Sequence, residues 1–175
     1  PNALARSLIT QRTGIIGMVI SDASNQFFSE MLRGAEGVLR SLNYGLIVCN
    51  TDEALEWEDH YLNLLLGQRV DGIIAAATSQ RWSALSQAEQ EHTPIVLVDR
   101  AYEQLEGPYI GVNNEKGAYM GGSHLIQCGY RRIGIITGLQ RLSTMRERRS
   151  GFRRALQEHE IPLPDAWEVT CNLST

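Results

Sequence analysis

Hydrophobic positions along this chain alternate between short unbroken runs and stripes with helical spacing. Gly14-Ile-Ile-Gly-Met-Val-Ile20 is an unbroken run, as expected of a strand covered on both faces. Phe28, Met31, Leu32, Ala35, Val38, Leu39 and Leu42 then recur every three or four positions. They form one apolar stripe of a helix, stopped by Asn43-Tyr-Gly45. Leu46–Cys49 predicts a second strand. Ala54, Trp57, Tyr61, Leu64 and Leu65 mark a second helix that ends at Gly67. A third strand is predicted over Gly72–Ala77, a weaker helix around Trp82 to Glu91, and a fourth strand over Ile95–Val98. After the turn-rich Glu106-Gly-Pro108 a second set begins with a strand at Tyr109–Val112. It continues with a helix from Asn114 to Cys128 closed by Gly129, a strand over Ile133–Thr137, a helix from Ser143 to His159, and a strand over Trp167–Cys171.

Apolar strands that alternate with helices call for a parallel sheet clothed on both sides and wound by right-handed crossovers. The expected fold class is therefore α/β, with parallel sheets flanked by helices. Residues 9–112 read as one near-complete lobe and residues 113–175 as part of a second, since nothing in the pattern closes the second set. In such sheets ligands gather at the carboxyl ends of the strands. That rule singles out Ser21, Asp22, Thr78, Ser79, Asp99 and Arg100.

Pro1–Leu8 precedes this regular pattern and has no core of its own. Pro suits a helix start, Leu4 and Leu8 share a face, and Ala3 and Ala5 are strong helix formers. So short a helix does not hold alone in water. It needs the body of the domain, a twin copy or a ligand to fold against.

Composition narrows the function classes. The chain has 175 residues, 43% hydrophobic and 21% charged, the profile of a globular domain. No apolar run approaches a membrane span. It starts at Pro rather than Met and is expected to be a fragment, so the lack of a signal peptide carries no weight. A net charge of −4 argues against nonspecific nucleic-acid binding by these residues as a whole. Cys49, Cys128 and Cys171 each lie in or beside an apolar stretch and are expected to be buried free thiols of a reducing compartment. Phosphate loops, nucleophile elbows and zinc-protease motifs are absent, so no catalytic residues are expected. His60, His92, His124 and His159 fall on predicted helices with no carboxylate or cysteine at ligand spacing, so no metal is expected. No cofactor is expected either.

Two side chains stand out. Arg148 lies four residues before Phe152 and so shares the inward face of its helix, while Arg149 and Arg153 point to water. An inward charge must be paired. Arg148 is thus either half of a buried ion pair or a guanidinium fork for a bound small molecule. Phe28 opens the core stripe of its helix, whereas Phe27 is off that stripe and is either a ring for stacking on a sugar or base or an ordinary loop hydrophobe.

The residues taken together resemble the effector-binding core of LacI/GalR-type bacterial transcription regulators, itself similar to type I periplasmic sugar-binding proteins. The resemblance covers essentially the whole chain. It is carried by Asn2–Leu8, Ile16–Ile20, Asn25–Glu30, Arg69–Ile74, Val98-Asp-Arg100, Gly117 with His124-Leu-Ile126, Arg131–Gly134, and Arg148 with Gly151-Phe152. It implies a two-lobed, periplasmic-binding-protein type I-like fold with a small-molecule cleft, and effector contacts at Ser21, Phe27, Thr78, Asp99, Thr144 and Arg148. It makes residues 1–8 the remnant of a hinge helix that contacts operator DNA through Ala5 and Leu8, with Leu8 wedged into the minor groove. The implied partners are a sugar or sugar derivative, operator DNA read through a headpiece upstream, and a second copy of the chain. No membrane partner is implied, and the implied location is the cytoplasm. The alternative is a periplasmic sugar-binding protein of a transport system. Gln26 replaces a common proline, Asn113 a common aspartate and Tyr130 a common histidine. Leu142 stands where purine-binding relatives are polar, which disfavours a purine effector.

Overall fold

Burial of Gly17 through Ile20 places the first strand inside a sheet rather than at its rim. The computed structural model describes residues 12–76, 78, 85–101 and 107–171. The hinge segment 1–8, with Ala5 and Leu8, lies outside the described residues. The chain divides into two compact units, one ending at Ile110 and the other beginning at Gly111.

The first unit runs β1 (Ile15–Ile20), α1 (Gln26–Ser41), β2 (Gly45–Asn50), α2 (Leu55–Gly67), β3 (Gly72–Ala75), α3 (Leu85–Gln90), β4 (Ile95–Val98) and β5 (Tyr109–Ile110). The five strands form one parallel sheet in the order β2-β1-β3-β4-β5. Alternation along β1 divides the core in two. Val19 joins Leu62, Leu65 and Leu66 of α2 on one face, with Ile73 and Leu97. Met18 and Ile20 join Phe28 of α1 on the other, with Ala76 and Val98. The side chain of Asn25 accepts a hydrogen bond from the Phe27 amide at 3.0 Å and so caps α1. This start leaves Phe28 buried and Phe27 exposed, as their spacing predicts. The strand at Tyr109 pairs with β4 as the fifth strand of the first sheet.

The second unit runs α4 (Asn114–Gln127), β6 (Ile135–Thr137), α5 (Ser143–Glu158), a short 3-10 turn (Asp165–Trp167) and β7 (Glu168–Thr170). β6 and β7 pair in parallel. Ile126, Ile133, Phe152, Leu156 and Ile161 form its core. Two glycines let α4 and α5 approach closely. A Cβ on Gly151 would lie 1.9 Å from the Glu115 carbonyl oxygen, and one on Gly122 would lie 2.9 Å from the Ala155 Cβ. The last strand starts later than predicted because Trp167 belongs to the 3-10 turn.

Several local expectations change. Arg149 and Arg153 are partly exposed to water, as expected, but both also pair with the carboxylate of Glu168, whose side chain is only 7% exposed. The partner lies 15 to 19 residues away, out of reach of any helical-spacing argument. Cys49 is buried, and desolvation pushes its thiol pKa up. Cys128 is exposed and Cys171 half-buried, contrary to expectation. Cys128 ends a helix on its outer side, with its sulfur 3.6 Å from His124 Nε2 one turn back, so this histidine does have a cysteine at ligand spacing. No described helix is long and apolar enough to cross a membrane.

Two predictions follow from this packing. Gly151→Ala forces α4 and α5 apart and should destabilise the second unit by about 3 kcal/mol, read as a lowered denaturant midpoint. Glu168 tests the ion-pair assignment by pH. Burial alone would raise its pKa, but hydrogen bonds and charge from Arg149 and Arg153 hold it below the ordinary 4.5. The carboxylate therefore adds stability above pH 4.5, and this is lost as pH falls through the lower folded-state value. Glu168→Gln should flatten that acid limb in melts between neutral and acidic pH; an unchanged limb would assign it to other carboxylates.

Candidate functional site

Four strands of the first sheet end at Ile20, Asn50, Ala75 and Val98. The residues that follow are polar yet buried: Ser21, Thr51, Thr78, Asp99 and Arg100. Their organising group is the Arg100 guanidinium, whose side chain is 6% exposed. Its two terminal nitrogens grip the Glu53 carboxylate at 2.6 and 3.0 Å. One of them also donates to Thr78 Oγ1 at 2.9 Å. Nε lies 3.5 Å from an Asp99 carboxylate oxygen, and the guanidinium carbon sits 5.9 Å from the Phe28 ring centre. The Thr78 amide in turn donates to Glu58 of α2 at 2.7 Å, and Glu58 is fully buried.

Backbone strain concentrates at the same place. Asp52, Glu53 and Asp99 have φ of 49°, 62° and 61°. The other non-glycine residues in the left-handed region are Asn43, Arg69, His92 and Glu160. Each of those lies two residues beyond a helix end, where this conformation is ordinary. Asp52, Glu53 and Asp99 have no helix to terminate. Left-handed non-glycine residues away from helix ends are often held by the needs of a site.

Two further hydroxyls complete the cluster. Ser21 Oγ and Thr51 Oγ1 are buried and have no hydrogen-bond partner among the described residues. The Thr51 amide donates to the Ile20 carbonyl at 2.9 Å, which keeps the two residues on neighbouring strand ends. Asp22 lies just outside. Its carboxylate accepts from the Ser24 hydroxyl at 2.6 Å and the Ser24 amide at 2.9 Å, which lowers its pKa. Phe27 stands exposed at the start of α1, with its ring edge-on to Phe28.

In the second unit Thr144 is buried in the first turn of α5. Arg148, one turn on, is exposed and not inward. Its Nε donates to the side chain of Asn114 at 2.7 Å, so of the two alternatives for this residue the buried ion pair with an acid is replaced by a bond to a neutral amide. Arg148, Asn114, Thr137, Ile135, Gly117 and Met145 help line a concavity of about 500 Å³. Its guanidinium keeps its outer nitrogens free of hydrogen bonds to described residues.

The predicted residues thus fall into two groups. Ser21, Phe27, Thr78 and Asp99 belong to the first unit; Thr144 and Arg148 belong to the second. Sequence reasoning missed Thr51, Glu53 and Glu58. The strand-end rule reaches Thr51 once β2 is placed to end at Asn50, but Glu53 and Glu58 are recognisable only through their partners. The described site residues include no nucleophile poised against a base, and no described group of three or more side chains is arranged to hold a metal ion.

A parallel sheet with buried hydroxyls, carboxylates and a guanidinium at its strand ends defines a ligand-binding α/β domain. Residues 13–173 match the family of periplasmic binding proteins and sugar binding domain of the LacI family, and the chain belongs to that family. The transcriptional repressor PurR of Aliivibrio salmonicida is 36% identical over 168 residues, which are 95% of this chain and 50% of that protein. A ribose operon repressor of Halalkalibacterium halodurans is 34% identical over 92% of this chain and 47% of its own length. The chain thus spans about half the length of these curated relatives, which are transcription regulators rather than enzymes. Among solved structures, a LacI family regulator from Enterococcus faecium with bound ribose superposes with a TM-score of 0.78 at 26% identity. It covers 90% of this chain and 57% of that one. CcpA of Lactococcus lactis superposes with a TM-score of 0.80 at 26% identity, over 91% and 59%.

Thr78 provides a direct test of the buried network. Thr78→Val keeps the shape but removes the acceptor of Arg100, and should cost about 1–3 kcal/mol in denaturant unfolding. A neutral result would remove that bond from the account.

Proposed function

We propose that this chain is the effector-sensing part of a cytoplasmic LacI-type transcription regulator, a repressor, and that its effector is a sugar or a sugar derivative. The observation that carries the reading is the buried polar cluster at the strand ends, in a chain whose curated relatives are regulators. Hydroxyls, carboxylates and a guanidinium at one strand end suit a hydroxyl-rich ligand, and the exposed Phe27 ring suits the face of a sugar. Ser21, Phe27, Thr78, Asp99, Thr144 and Arg148 are the proposed effector contacts. Operator DNA would be read by a headpiece and by the hinge segment 1–8, with Ala5 and Leu8 at the DNA.

The regulator would act as a homodimer. β2 is an edge strand, and beside it Leu32, Leu39, Tyr44, Leu46 and Val48 line a groove of about 350 Å³. Val38, Leu42 and Val48 are exposed apolar side chains on α1 and β2. A surface of this kind suits a second copy of the same surface.

The test is a thermal-shift screen of the full-length protein against sugars and purines. Ligands of the folded state raise the melting temperature by mass action. A sugar hit is expected, and Arg148→Ala should weaken it by about tenfold or more, the loss typical of a charged hydrogen bond. Leu8→Ala should weaken operator binding and leave sugar affinity unchanged. Unchanged sugar affinity in Arg148→Ala would make that residue structural, and purine hits without sugar hits would overturn the effector class.

A further inference from the structure

The strand-end cluster of the first unit has a charge pattern that sharpens the sugar reading, and the inference rests on that reading. Among its described residues Asp52, Glu53, Glu58 and Asp99 are acidic and Arg100 alone is basic, and the residue just outside it, Asp22, is acidic too. The guanidinium is not left open to an anion. Glu53 takes both of its terminal nitrogens, Thr78 shares one, and Asp99 lies beside Nε. In this cluster the buried side-chain atoms with no hydrogen-bond partner among the described residues are the hydroxyls of Ser21 and Thr51 and Nε of Arg100, and that Nε faces the Asp99 carboxylate at 3.5 Å. A hydroxyl both donates and accepts, and so can pair with a ligand hydroxyl in either direction. The backbone also holds this arrangement at a cost, since Asp52 and Glu53 are consecutive left-handed residues and the turn they form delivers Glu53 to Arg100.

We propose that Glu53 is a specificity-determining residue: by occupying Arg100 it makes this strand end accept the uncharged, hydroxyl-bearing end of a ligand and reject a phosphate ester. Without Glu53, Arg100 would present two free nitrogens in the fork geometry that binds phosphate. With Glu53, an incoming phosphate meets a neutralised cation flanked by the carboxylates of Glu53 and Asp99. Like charges brought together at a poorly solvated site are strongly unfavourable.

Calorimetric titration of the full-length protein with matched pairs tests this: D-ribose with D-ribose 5-phosphate, D-fructose with D-fructose 1-phosphate, and D-glucose with D-glucose 6-phosphate. For whichever pair binds, the free sugar should bind at least about tenfold more tightly than its ester. Glu53→Gln, which keeps the size but removes the charge, should shrink that ratio by about tenfold, mainly through tighter ester binding. An ester that binds the natural protein as tightly as its free sugar overturns the proposal, whatever the variant does. A folded Glu53→Gln protein with an unchanged ratio overturns the role of Glu53. Binding by neither member of any pair would instead remove the sugar reading itself, and this inference with it.

Discussion

A guanidinium this deeply buried cannot be left without a counter-charge, and that requirement organises the carboxyl edge of the first sheet. Arg100 lies two residues past the end of β4, after the left-handed Asp99, and its side chain reaches the groups that follow β2 and β3. An isolated charge there would be prohibitive, and removing one partner of a buried pair typically costs several kcal/mol. Glu53 meets the requirement from the far side of the sheet, 47 residues away in sequence. To do so the turn after β2 adopts two consecutive left-handed residues, each carrying strain on the order of 1–3 kcal/mol. Thr78 then accepts from the same guanidinium while its amide is held by Glu58. One cation thereby ties the ends of β2, β3 and β4 to one another and to α2.

The second unit solves a related problem with opposite charges. There the buried group is an acid, Glu168, and two partly exposed arginines of α5 converge on it. These ion pairs join α5 to β7, while Gly151 and Gly122 let the same helix meet α4 closely. Arg148 is excluded from this tie. It points to Asn114 and to the concavity beside β6, not to Glu168. Three arginines within six residues of one helix therefore have two jobs: Arg149 and Arg153 hold the unit together, and Arg148 keeps its charge available at a surface.

The pattern of apolar positions foretold the elements well because burial on a sheet face or a helix stripe is a local, periodic constraint. Phe28 and Phe27 illustrate it: adjacent in sequence, they differ in burial as the stripe requires. Ser21, Thr78 and Asp99 were also legible, because the carboxyl ends of strands follow once the strands are placed. What stayed hidden was pairing. Nothing in the spacing of Arg149 and Arg153 points to Glu168, and nothing near Glu53 announces Arg100. The rule that an inward arginine needs an acid was sound, but helical periodicity set Arg148 on the wrong side of the boundary between core and surface. Near the start of α5 a one-residue error of angular position is enough to move a side chain from buried to exposed. Cys128 failed for the same reason, since an apolar neighbourhood in sequence did not mean an inward face at the helix end.

The distribution of unsatisfied groups separates a binding role from a purely structural one. A network that served stability alone would gain from saturating every buried hydroxyl, since each unpaired polar group lowers stability by about 1–3 kcal/mol. Around Arg100 the charges are balanced by Glu53 and Asp99, with Nε in ion-pair range of Asp99 but without a hydrogen bond, whereas the neutral hydroxyls of Ser21 and Thr51 have no partner of either kind among the described residues. Saturating the charges fixes the geometry and the local electrostatic sign. Leaving hydroxyls unsatisfied creates a favourable increment that appears only when a group able to donate and accept arrives. Balanced charges and open hydroxyls on the same strand ends are thus the arrangement that a pre-formed site for a neutral ligand, as proposed for this chain, would need.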